Sequence, residues 1–109
     1  MNNLAEAEAA VRKGAAQGAS VILESPPGAA RYWGAAYFLA LVNAAREAAP
    51  HVAVDAVLDC GDAPGLAVEA LRLGLPAVRV DGDARAVAAV ADIAAQLGAR
   101  VETAPRPRL

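Results

Sequence analysis

AVLDCGDAPGLAVEALRLGLPAVRVDGD, residues 56–83, decides the fold. Ala56-Val57-Leu58-Asp59 is a short apolar run closed by an acid, which suits a buried strand. Asp62 stands where a helix N-cap belongs, with Pro64 in the first turn. Leu66, Leu71 and Leu73 give that helix an apolar face, and Gly74 closes it. Ala77-Val78-Arg79-Val80-Asp81 is the next strand, and Asp83 caps the next helix. A strand, a helix and a strand joined by a few residues form a βα unit whose crossover makes the two strands parallel.

Outward from this unit the pattern repeats. Asp59, Asp81 and Thr103 follow one another at intervals of 22 residues, each at the end of a strand. Val87, Val90, Ile93, Ala94 and Leu97 form a helical stripe closed by Gly98, and Arg100-Val101-Glu102-Thr103 is a last short strand. Upstream, Ser20-Val21-Ile22-Leu23-Glu24 reads as the first strand. Asn3 and Glu6 form a capping pair for a helix that Gly18 ends. Ser25 and Pro26 carry the signal of an N-cap and a first-turn proline, so one helix is expected from residue 26 to Ala49, stopped by Pro50.

The expected fold class is therefore α/β. A single three-layer domain over residues 1–104 has an N-terminal helix, then βαβαβαβ, with a four-stranded parallel sheet. Residues 105–109 are a short Pro/Arg tail. The pattern is similar to flavodoxin-like domains or to half of a (β/α)₈ barrel, architectures that host many functions.

Composition narrows the function classes. Apolar residues make up 57% of the 109, charged residues 20%, and alanine alone accounts for 31. Such a chain is too apolar and too weakly charged for disorder. A net charge of −2 supplies no basic footprint, so no nucleic-acid partner is expected. A single cysteine excludes a disulfide framework and a Cys-rich zinc module. The longest apolar stretch, Tyr32 to Ala45, is about 14 residues and too short for a bilayer, so no membrane partner is expected. Residues 1–6 have neither a basic nor an apolar leader region, which points to the cytoplasm.

Ligands of parallel α/β sheets bind beyond the carboxyl ends of the strands. The candidate ligand or metal cleft there is Glu24, Ser25, Asp59, Cys60, Asp62, Asp81 and Asp83. Two readings compete for the acids. Asp62 and Asp83 suit helix capping, and a strand-end Asp can bond the amides of its own loop. Alternatively Glu24, Asp59 and Asp81 offer hard oxygen ligands for Mg²⁺. Cys60 beside a helix start could form a thiolate. Its nearest base would be His51, the only histidine, which falls at the opposite end of the sheet. The only lysine, Lys13, lies in the first helix. Neither a Gly-x-Gly-x-x-Gly nor a P-loop pattern occurs.

All four aromatics fall within one helix: Tyr32, Trp33, Tyr37 and Phe38, continued by Leu41. A helix apolar on every side needs cover beyond one sheet face. The first helix, a ligand pocket wall, or a second copy could provide it. The expected outcome is a homo-oligomer with Trp33 or Phe38 at the contact, because interfaces favour these residues. The functional expectation is a non-catalytic assembly or small-ligand-binding module with no evident cofactor. A small Mg²⁺-dependent enzyme at the strand ends is the alternative.

Overall fold

A computed structural model describes residues 1–103. In chain order the elements are α1 (Leu4–Gln17), β1 (Val21–Glu24), α2 (Ala29–Tyr32), α3 (Ala35–Arg46), β2 (Val54–Asp59), α4 (Pro64–Arg72), β3 (Ala77–Arg79), α5 (Ala84–Gln96) and β4 (Arg100–Glu102). The α/β class and the four-stranded, all-parallel sheet are as expected. The Pro/Arg tail, residues 105–109, lies outside the described residues. Among the described residues no helix is long and apolar enough to cross a membrane.

The strands lie in the order β1-β2-β3-β4. Flavodoxin-like sheets place their first strand inside the sheet, so the half-barrel pattern is the one the chain adopts. Strand order also corrects the layering. Crossovers of one hand that each step to the next strand leave every helix on one side. Accordingly α1 packs on α3, α3 on α4, and α4 on α5. The molecule has two layers, not three.

One buried cluster joins these helices to one sheet face. Leu23, Ala56, Leu58, Cys60, Val78 and Val80 meet Val11, Phe38, Leu71 and Val90 there. Gly14 brings α1 close to β1: a Cβ at that position would lie 2.3 Å from Val21 Cγ2. At the start of α1 the expected cap is present, with Glu6 N–H donating to Asn3 Oδ1 at 2.8 Å.

Three local expectations change. The single helix over residues 26–49 is two helices, broken at Gly34 with φ 79°. It also starts later than expected. Each of Ser25 and Pro26 precedes a proline, which disfavours helical backbone, and Gly28 at φ 67° is the N-cap of α2. Ser25 does not cap; its Oγ accepts the Asp59 N–H at 2.8 Å. Nor does Asp62 cap α4, whose N-cap Ala63 makes no side-chain bond. Asp62 instead pairs with Arg31. Asp83 does cap α5, accepting the Arg85 N–H at 3.3 Å.

Candidate functional site

Alternation along the strands sends half of their side chains to the face without helices. Strand partners share a face, so Ile22 stands beside Asp55, Glu24 beside Val57, Asp59 beside Arg79, and Arg79 beside Glu102. This face carries the polar chemistry of the sheet.

At its centre is Arg79, only 7% exposed. Its NH2 lies 3.0 Å from Glu102 Oε1 and 3.6 Å from Glu24 Oε2, and its NH1 lies 3.5 Å from Asp59 Oδ2. Arg100 extends the network, with NH2 2.7 Å from Asp55 Oδ2 and 3.2 Å from Glu102 Oε2. Burial pulls the Arg79 pKa down, but the hydrogen bond to Glu102 and the charges of Glu24, Glu102 and Asp59 outweigh it and leave it raised. For Arg100 the hydrogen bond to Asp55 is the largest upward cause. Both guanidinium groups are therefore permanent cations. Arg79 Nε is buried without a hydrogen-bond partner among the described residues.

Asp59 joins the cluster to the loops. Its Oδ1 accepts the N–H of Gly28 at 3.0 Å and of Gly61 at 2.9 Å. Ser25 completes the joint, accepting from Asp59 N–H and donating its hydroxyl to the Pro26 carbonyl at 3.1 Å. A strand-end Asp bonding loop amides is one of the two readings available for that position.

The structure thus brings together Glu24, Ser25 and Asp59 from the candidate cleft and adds Arg79 and Glu102. Asp81 is exposed, and its N–H donates to the Gly61 carbonyl at 2.9 Å. Asp62 and Asp83 are exposed at the rim. Cys60 lies on the helix face, fully buried, with Sγ 3.6 Å from the Leu58 carbonyl. Burial, and then the charge of Asp59, pushes its thiol pKa up to about 12. A thiol so placed is not a nucleophile at neutral pH. His51 is at the amino end of the sheet, lining a depression of about 260 Å³ with Gly14, Gly18 and Val52. Among the described residues no group of three or more His, Cys, Asp and Glu side chains is arranged to hold a metal ion.

Arg79, Glu102, Asp55 and Arg100 were outside the expected site. The signal for Arg79 was present in the sequence: an arginine inside an otherwise apolar strand is buried only when paired.

The aromatic residues divide. Phe38 is completely buried and Leu41 nearly so, within the chain's own core under α1. Phe38 therefore cannot supply an intermolecular contact. Tyr32 is 62% exposed and Tyr37 52%. Trp33 lies between them, with edge-on ring contacts of 6.0 Å and 5.4 Å.

No family model matches the chain. Two curated relatives are the fructose-bisphosphate aldolases of Stutzerimonas stutzeri and Pseudomonas aeruginosa. Each is 32% identical over 85 residues, which is 78% of this chain and 24% of the relative. The chain thus spans about a quarter of the length of the curated relatives it matches.

Proposed function

We propose that this chain is a cytoplasmic small-ligand-binding and assembly module, not a complete catalyst by itself. Its ligand lies over Glu24, Asp59, Arg79 and Glu102 at the carboxyl edge of the sheet. The convergence of three strand-end carboxylates on one guanidinium, on a face that no helix covers among the described residues, carries this reading. Carboxylates accept hydrogen bonds from hydroxyl groups, and a buried guanidinium holds those carboxylates in place. A hydroxyl-rich ligand fits such a surface. The similarity to fructose-bisphosphate aldolases supports a sugar phosphate in particular. The Ser25 hydroxyl, the Asp59 carboxylate and the Cys60 thiol are all engaged in local bonds or buried, so the module holds its ligand rather than attacking it.

Self-association belongs to the same reading. After the placement of Phe38 and Leu41, an aromatic contact between copies would rest on Tyr32, Trp33 and Tyr37. The aldolase similarity favours a second reading, an enzyme at the same edge.

Isothermal titration with fructose 1,6-bisphosphate, fructose and inorganic phosphate, each with and without Mg²⁺, separates the readings. The module predicts that the sugar phosphate binds without the metal and that Glu102→Gln weakens it at least tenfold. Binding of none of the three probes overturns the proposal. Mg²⁺-dependent cleavage of fructose 1,6-bisphosphate, lost in Asp59→Asn, replaces it with the enzyme reading.

A further inference from the structure

Among the described residues no strand pairs with the outer side of β1 or of β4, and the outward backbone groups of the two strands match. On β1 the N–H groups of Val21 and Ser25 bond to β2. By alternation, the N–H and carbonyl of Ile22 and the carbonyl of Glu24 point outward. The Met1 ammonium meets that Glu24 carbonyl at 2.8 Å, at the outer edge. On β4 the Arg100 N–H and the Glu102 carbonyl bond toward β3. The N–H and carbonyl of Val101 therefore point outward. Exposed strand edges of this kind are templates for another strand.

Among the described residues the elements match half of a closed barrel. Four strands are backed by helices at four places, α1, α3, α4 and α5, all on one side. α1 packs on β1 and α3, where a crossover helix from a preceding strand would sit. A (β/α)₈ barrel has roughly eight strands, a shear of about 8, and helices only outside. Its interior would be the face that carries Arg79 here, including Ile22, which is 42% exposed in the single chain.

We infer that two copies of this chain close an eight-stranded barrel, β4 of each pairing in parallel with β1 of the other. This rests on the proposed module only in that the ligand cluster would then face a shared interior. The register follows from the sheet. Glu24, Val57, Ala77 and Arg100 lie on one hydrogen-bonded row. A total shear of about 8 is about four residues for each copy. That sets Arg100 opposite the partner subunit's Ser20, and Val101 opposite the partner subunit's Val21. In this register the outward N–H of Val101 donates to the partner subunit's Ser20 carbonyl. The Val101 carbonyl accepts from the partner subunit's Ile22. Both groups that alternation turns outward thus find partners, and side chains of like face stay on the same side. The helix ring closes as well. α5 leaves Ala84, Ala88, Ala91 and Ala95 exposed at helical spacing. Such a smooth stripe lets the partner's first helix sit close.

Light scattering on the full chain reads the assembly, and a cross-link reads its geometry. The expected mass is twice the 11.0 kDa of one chain. Val101→Pro removes an outward N–H without touching a bond to β3, and it shifts the protein to monomer with its circular dichroism retained. Ser20→Cys/Arg100→Cys, treated with a short bismaleimide, gives a covalent dimer. Within one chain these positions stand on opposite edges, three strand spacings of about 4.8 Å across and four residues of about 3.3 Å along the sheet, so roughly 19 Å apart. A strict monomer at high micromolar concentration overturns the inference. So does a dimer that Tyr37→Ser dissociates and that the cysteine pair fails to cross-link. A monomer that still binds the sugar phosphate removes the barrel and leaves the module. A cross-linked dimer that binds none of the probes does the reverse.

Discussion

On the helix side of the sheet, Leu23, Ala56, Leu58, Val78 and Val80 are buried against four helices. On the other side the same strands present Glu24, Asp55, Asp59, Arg79, Arg100 and Glu102. Val57 and Ala77 are fully buried on that second side, where no helix lies among the described residues. Around them lie the ion pairs of Arg79 and Arg100. The two faces therefore hold the sheet by different physics. One face depends on area removed from water. The other depends on complete pairing, since a buried charge without its partner costs far more than the pair contributes.

The sharpest way to break this comparison is Arg79→Met. It removes the guanidinium on which Glu24, Asp59 and Glu102 converge, and the expected loss is about 4 kcal/mol in urea unfolding. A loss under about 1 kcal/mol would mean that water, not Arg79, balances those acids, and the contrast between the faces would collapse. Leu58→Ala tests the apolar face, with an expected loss of about 3 kcal/mol from transfer and cavity terms. Gly14→Ala sharpens the same side. Its Cβ would run into Val21, and overpacking of that kind costs about 2 kcal/mol.

Alkaline pH probes the apolar face through Cys60. Its thiol pKa is raised from an ordinary 9.0 to about 12, so the unfolded chain loses that proton first. Stability is then complete below about pH 9. It falls by about 1.4 kcal/mol per pH unit as the pH rises toward the folded value. Unfolding midpoints measured across this window in wild type and Cys60→Ala read the effect, and the variant should lack that slope. The smallest effect is expected at the rim. Arg31 and Asp62 pair in solvent, both more than half exposed, and Arg31→Ala should cost under about 0.5 kcal/mol. A larger loss would extend the polar network of the open face out to the loops.

Much of this molecule was legible in the residues. Glycine at helix ends, Asp83 and Asn3 at helix starts, and apolar runs ending in acids are local signals, and local signals located nearly every element. The failures were local as well. Pro26-Pro27 reads as a helix start only if Ser25 is free to cap, and Ser25 is instead engaged by Asp59. Asp62 reads as a cap only until Arg31 is brought beside it. In both cases a contact across 31 or 34 positions of chain overrode a short-range preference.

The candidate site was half legible for a related reason. Glu24 and Asp59 could be placed at strand ends by counting, and so grouped on one edge. That they share a cation could not be read, because Arg79 joins them only once β1 through β4 lie side by side in sequence order. By itself, the sequence determined the class of fold, the parallel sheet and the edge on which the acids gather, because periodicity and capping act within a few residues. Only the tertiary structure decided that every helix lies on one side, that Phe38 is internal, and that an arginine sits at the centre of the acids. Strand order and side-chain convergence are properties of residues far apart in the chain, and no local pattern encodes them.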